Sequence, residues 1–198
     1  MRFAFAISFL VASLVVSLAR ADAPFIKISM EIGDGYVVPA EYAAAHKAEV
    51  LGSIPGHVQI DGFWTPTQQG VETAERAFRD LIRSAAKDPS VLFPDLADAS
   101  VNATADALQH QQVELNLVSQ NFGAYLRQYV GIIVDGQKLI LCNYAHGPTV
   151  DPSTEYLSVE KYFVGDGSVQ FLQGRVDEHA KTCSNVSFIG SWQGKEKN

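Results

Sequence analysis

The chain has 198 residues, a formal net charge of −7 at pH 7, 19% charged and 47% hydrophobic side chains, and a mean hydropathy of +0.03. That acidic balance carries no basic stripe, which argues against nucleic acid and anionic membranes as partners. The length suits one folded domain.

In chain order, the first segment is MRFAFAISFLVASLVVSLARADA. Arg2 supplies a positive start, Phe3 to Leu18 is an apolar run broken only by serines, and Ala21-Asp22-Ala23 is a small-residue cleavage signal, with Ala19-Arg20-Ala21 as an alternative. This is the pattern of a secretory signal peptide over residues 1–23. The run is shorter than the roughly 20 apolar residues that a spanning helix needs. The expected protein is therefore exported, periplasmic or extracellular, with residues 24–198 as a single domain and no stable membrane insertion after cleavage. In such a compartment, the two cysteines Cys142 and Cys183 suggest a disulfide, the alternative being two buried thiols.

PFIKISMEIGDGYVV reads as extended chain with a turn at Gly33-Asp34-Gly35, and PAEYAAAHKAEVLG, from Pro39 to Gly52, as a short helix. The clearest helix follows, over Pro66–Lys87. Thr65-Pro66-Thr67-Gln68 has the form of a capping box, and Val71, Ala74, Phe78, Leu81, Ile82 and Ala85 fall on one face. Glu72 with Arg76, and Glu75 with Arg79, are spaced as charge pairs on the outer surface. Asp88-Pro89 ends the helix. Ala105 to Leu117 is a second helix candidate. Asn102-Ala-Thr104 and Asn185-Val-Ser187 match the N-glycosylation pattern.

From Ala124 the period changes to two. Strands are expected at Tyr125–Val134, Gln137–Tyr144, Tyr156–Val164, Ser168–Val176 and Asn185–Trp192, with turns at Asp135-Gly136 and Gly165-Asp166-Gly167. Short connections make neighbouring strands antiparallel. The expected fold class is α+β, a main helix packed on an antiparallel sheet of about four to five strands.

The hairpin RQYVGIIVDGQKLILCNYAH specifies its own register. A two-residue Asp-Gly turn sets Val134 opposite Gln137, Ile132 opposite Leu139, Val130 opposite Leu141 and Gln128 opposite Asn143, all on one side. Since most of those residues are aliphatic, that side is expected to meet the helix. The other side holds Ile133, Gly131, Tyr129 and Arg127 against Lys138, Ile140, Cys142 and Tyr144; Gly131 there leaves room for another segment. Gln128 and Asn143 continue the core face at the end away from the turn. Either they are buried and partnered, or they line the mouth of a cleft. With Tyr144 and His146 they form the candidate binding set, because polar and aromatic groups converge in pockets.

Catalytic patterns are sparse. His46, His57, His110, His146 and His179 have no metal-ligand spacing, no H-E-x-x-H or G-x-S-x-G occurs, and no phosphate loop is present. No metal and no cofactor are implied.

The ordered set Gly62-Phe-Trp-Thr-Pro-Thr67, a helix, Gln128-Tyr-Val-Gly-Ile132, Asp135-Gly136, Ile140, Asn143 and Gly165-Asp166-Gly167 resembles a group of small exported bacterial proteins of unknown function. The resemblance spans about Gly62 to Trp192 and implies a bacterial source and a helix-on-sheet domain. A weaker resemblance is to cystatins, which wrap a sheet around a helix and inhibit papain-like proteases. Their Q-x-V-x-G loop is echoed by Gln128-Tyr129-Val130-Gly131, with the glycine one position early. The expected function is a non-enzymatic binding module with a protein or small-molecule ligand. The alternatives are a small periplasmic hydrolase using His146 or His179 as base, or a cystatin-like inhibitor.

Overall fold

The computed structural model describes residues 25–52, 54, 58–94, 101–146, 151–157 and 171–189, with side chains throughout except at 101–106 and 189. The expected signal peptide and the expected Gly165-Asp166-Gly167 turn lie outside the described residues.

The elements run β1 (Ile26–Met30), β2 (Gly33–Val38), α1 (Ala40–Ala45), α2 (Lys47–Gly52), β3 (Gly62–Trp64), α3 (Gln68–Lys87), a 3-10 turn (Pro89–Val91), α4 (Val101–Asn121), a second 3-10 turn (Phe122–Ala124), β4 (Leu126–Val134), β5 (Gln137–Ala145), β6 (Phe171–Asp177) and β7 (Thr182–Ile189). The class is α+β. The sheet is larger than expected and it is mixed. Its order is β1-β2-β4-β5-β6-β7, with β3 also paired to β4. β2 runs parallel to β4, with Val37 beside Tyr129, and every other pairing is antiparallel. The parallel step is possible because α1, α2, β3, α3 and α4 all lie between the two strands in sequence.

The β4–β5 hairpin has the register set by its turn: Val134 faces Gln137, Val130 faces Leu141 and Gln128 faces Asn143. Asp135 and Gly136 have φ of 50° and 75°, the positive values that a type I′ turn demands. Gly131 accepts the approach of another segment. A Cβ there would lie 2.1 Å from the Trp64 carbonyl oxygen, and Trp64 of β3 is its register partner. Trp64 Nε1 then donates to the carbonyls of Ile132 and Leu139, both at 3.2 Å, and Lys138 Nζ sits 5.2 Å from its ring.

The side of the sheet that meets α3 is the reverse of the expected one. α3 packs on Tyr129, Ile140, Cys142, Tyr144, Leu172 and Val176 through Val71, Ala74, Phe78 and Ile82, with α4 contributing Leu115 and Val118. The aliphatic side, Val130, Ile132 and Leu141, with Val38 on the neighbouring β2, is covered instead by Ala43 and Val50 from α1 and α2, and by Tyr156. Both faces are thus buried, and hydrophobic richness alone could not say which helix covers which face. The N-terminus of α3 also differs from the capping-box reading. Thr67 is the cap, its Oγ1 accepting from Gly70 N at 3.1 Å, whereas Thr65 Oγ1 accepts from Ala40 N at 3.0 Å. Thr65 therefore ties the start of α1 to the approach of α3.

Cys142 and Cys183 are free thiols, contrary to the disulfide expectation. The reason is the strand order. Cys142 is on β5 and Cys183 on β7, with β6 between them. Two strand spacings amount to roughly 9–10 Å, beyond the limit of about 7 Å between Cα atoms for a bridge without backbone movement. Gly174 of β6 faces Cys142, and the position of its absent Cβ lies 3.1 Å from Cys183 Sγ. Burial pushes the Cys183 thiol up to about 12 and raises Cys142 well above its ordinary value.

Candidate functional site

Among the four binding candidates, the structure brings two together. Gln128 and Asn143 are cross-strand partners and are fully buried. Gln128 Nε2 donates to the carbonyls of Pro152 (2.8 Å) and Glu155 (2.6 Å), and its Oε1 accepts from Leu157 N at 2.8 Å. Asn143 Nδ2 donates to Tyr156 Oη at 3.2 Å, and its Oδ1 accepts from Gln173 Nε2 at 2.9 Å. Gln128, Asn143 and Gln173 make a row of amides across three strands that fastens the backbone of residues 151–157 to the sheet. These residues are occupied with the chain itself. Tyr144 points to the opposite side of β5, and His146 is exposed beyond the end of that strand, its ring 5.3 Å from that of Tyr125. The Gln128-Tyr-Val-Gly tetrapeptide is buried within β4.

Tyr144 belongs to a second polar cluster that pairing arithmetic on α3 did not reveal. Glu75 is only 4% exposed and points inward. Its Oε2 accepts from Tyr129 Oη at 2.6 Å and Tyr144 Oη at 2.7 Å, and its Oε1 lies 3.4 Å from Arg127 Nε. Burial first, and then the adjacent Glu75 carboxylate, hold both phenols well above the usual tyrosine range, so both stay protonated and donate. Arg127, 2% exposed, spends its terminal nitrogens on the carbonyls of Tyr125 (2.8 Å) and Phe122 (2.6 Å). The guanidinium thereby holds the end of α4 to the sheet while it neutralises Glu75.

A signal for this cluster was present. Residue 75 follows Val71 by four and precedes Phe78 by three, which places it at the border of the apolar arc of α3. Three polar-tipped side chains, Arg127, Tyr129 and Tyr144, share the sheet face that this arc covers.

Glu75 also lines a cleft of about 260 Å3 between α3 and the β1–β2 turn. Ser29, Met30, Glu31 and Ile32 form one wall; Glu72, Glu75, Arg76 and Arg79 form the other. Ser29 Oγ donates to Asp34 at 3.0 Å, and Gln68 Nε2 donates to Glu72 at 2.9 Å. Glu75 Oε1, Arg79 Nε and Arg127 Nε are each shut off from solvent and make no hydrogen bond, but Glu75 Oε1 and Arg127 Nε are ion-paired at 3.4 Å. A wider hollow of about 550 Å3 continues around the first turns of α3, where Glu72 and Arg76 meet Glu178, His179 and Lys181 of the β6–β7 turn. His179 Nε2 is 3.9 Å from Glu178 Oε1 and its side chain is 85% exposed. Among the described residues, no group of three or more His, Cys, Asp or Glu is arranged to hold a metal ion.

Compared with known proteins, the chain matches no family model, no curated protein and no solved structure.

Proposed function

We propose that the protein is an exported, non-enzymatic binding module that holds a small polar ligand in the cleft between α3 and the β1–β2 turn. The observation that carries this reading is the cleft itself, about 260 Å3 with Glu31, Glu72, Glu75, Arg76 and Arg79 among its lining residues, since charged groups converging on a concavity are what hold a small polar molecule. Support for export comes from Arg2, the apolar run Phe3 to Leu18 and Ala21-Asp22-Ala23. Among the described residues no helix is long and apolar enough to cross a membrane.

The site proposed is not the one built on Gln128 and Asn143, whose hydrogen-bonding capacity is used within the chain. A hydrolase reading draws its support from His179 beside Glu178 in the wider hollow. A cystatin-like inhibitor draws its support from a helix packed on a sheet; its Gln128-Tyr-Val-Gly echo is buried within β4.

The test is native mass spectrometry of the protein after incubation with a small-molecule extract of the expression host. Wild type is expected to retain a discrete small mass. Ile32→Trp, which fills the cleft from its turn wall, is expected to lose it without loss of thermal stability. Retention of the same mass by a folded Ile32→Trp protein would move the site elsewhere.

A further inference from the structure

We propose that the outer face of α4 pairs with the same face of a second copy of this chain, giving a weak dimer with two-fold symmetry.

The first ground is the face itself. Gln109, Val113, Asn116, Leu117 and Gln120 are all exposed, and their spacing places them on one stripe of the helix. Val113 is 51% and Leu117 49% exposed, one turn apart. Leu115 and Val118 supply the inward packing of α4, so the outward pair is free for another role. A third exposed apolar side chain, Val91, sits on the 3-10 turn that follows α3. Gln112 Nε2 donates to the carbonyls of Ala86 and Lys87, both at 3.4 Å, and so holds α4 against that end of α3. Of the four large apolar side chains that stand exposed among the described residues, three are therefore carried by α4 and the turn beside it.

Charge identifies the partner. The chain carries a net charge of −7, so two copies repel one another over most of their surface. From residue 107 to residue 121 the ionisable side chains are His110 and Glu114, and Glu114 is buried. The neighbouring α3, by contrast, exposes Glu72, Arg76, Asp80, Arg83 and Lys87. The outer face of α4 is thus where two acidic molecules can approach without meeting like charge. A strongly charged partner would find no counter-charge there. A helix that lies on a lipid surface carries Lys and Arg along its polar face, and this stripe has neither. An apolar centre depleted of charge is the composition of a protein–protein contact.

Self-complementarity is the third ground. Side-chain amides both donate and accept hydrogen bonds, so Gln and Asn can pair with copies of themselves, as a same-to-same interface requires. A two-fold axis crossing antiparallel α4 helices level with Leu115 sets Val113 of each copy against Leu117 of the other. It also carries Gln109 of each copy towards Gln120 of the other, closing the apolar centre at both ends. A contact one helix wide and about 22 Å long over these fifteen residues is smaller than the roughly 800 Å2 per partner of a standard interface. The dimer is accordingly weak, with a Kd on the order of 100 μM.

The test is sedimentation velocity of the purified protein from about 5 to about 500 μM, a range that brackets this Kd. The weight-average mass of wild type is expected to rise towards twice the monomer value. Leu117→Glu should weaken association by roughly tenfold or more, because it sets a carboxylate against an apolar partner. Position 117 is exposed, so the Tm of that variant should match wild type. A charge swap reads the facing of the two helices. Val113→Glu with Leu117→Glu, and Val113→Lys with Leu117→Lys, should each be monomeric alone and should associate when mixed one to one. Wild type that stays monomeric at the highest concentration would overturn the proposal. So would Leu117→Glu that associates as wild type does, or a charge-swapped mixture that stays monomeric. Monomeric wild type that co-sediments with phosphatidylcholine vesicles, and loses them in Leu117→Glu, would assign the face to a lipid surface instead.

Discussion

Replacing Gln128 with alanine removes three hydrogen bonds that hold residues 151–157 on the sheet. Their lengths are 2.6–2.8 Å. Gln128 and Leu157 are fully buried, whereas Pro152 is half-buried and Glu155 is exposed. The two carbonyls can therefore turn to water, but the Leu157 amide is stranded. Two recoverable bonds at about 1 kcal/mol each, plus a buried donor at about 1–3 kcal/mol, predict a loss of about 3–5 kcal/mol. At about 2–4 °C per kcal/mol for a domain of this size, Tm should fall by about 6–20 °C. Urea unfolding followed by fluorescence, with calorimetry for Tm, measures both. Gln128→Glu adds a pH test of the same geometry. An ionised carboxylate there would face two carbonyl oxygens with no donor to offer, so the folded state raises its pKa. The penalty is absent below the ordinary glutamate value of about 4.3 and grows as pH rises through the raised value. Gln128→Glu should therefore be closest to wild type near pH 4 and worst at neutral pH. A loss below about 1 kcal/mol for Gln128→Ala would refute the fastening role and restore Gln128 and Asn143 as an accessible polar end of the sheet.

Glu75→Gln should cost about 3–5 kcal/mol, because it leaves the Arg127 guanidinium buried without its counter-charge. Tyr144→Phe, which removes one hydrogen bond to the same carboxylate, should cost less, about 1.5–3 kcal/mol; equal losses in guanidinium unfolding would contradict the charge argument. Both thiols should resist alkylation at pH 8 in the native protein, since burial raises each above its ordinary value, and both should titrate after unfolding without reductant. Fewer than two titratable thiols would show that the strands shift enough to bond them. Glu114 is buried, and burial raises its carboxyl despite a lowering pull from His110. The folded state thus favours its proton, so the stability it contributes is full below the ordinary glutamate value and is lost as pH rises through the raised one. Glu114→Gln should accordingly gain stability relative to wild type at pH 8 but not at pH 4, as measured by calorimetry.

The contrast between the two polar clusters shows what local sequence can specify. Asp135-Gly136 and strict alternation determined every partner in the β4–β5 hairpin, because a turn of known geometry couples residues close in the chain. Alternation also put Gln128 and Asn143 side by side. It could not supply Pro152, Glu155, Tyr156 or Gln173, which complete their hydrogen bonds from outside the hairpin. Without those partners a buried, satisfied amide and an open cleft mouth look alike. The parallel β2–β4 pairing and the three-residue β3 were hidden for the same reason: each depends on a distant segment arriving at one edge of β4.

Glu75 was misplaced through a different ambiguity. Glutamate four residues before arginine on a helix is the ordinary spacing of a solvated pair, and position 75 borders the apolar arc closely enough to fall on either side of it. Tertiary structure decides the matter by setting Arg127, Tyr129 and Tyr144 beneath that position. This placement gives one carboxylate two roles. Oε2 ties α3 to β4 and β5, Oε1 is the counter-charge of Arg127, and the residue also lines the cleft. A ligand in the cleft that Glu75 lines would bear on the same side chain that braces the helix, so occupancy and stability are linked. A ligand specific for the folded state adds about 2.7 kcal/mol at a concentration one hundred times its Kd. Tyr144→Phe weakens the brace but leaves the charged lining of the cleft in place; its stability should therefore recover with ligand by the same increment as wild type, whereas Arg79→Gln, which removes a charge from that lining, should recover less.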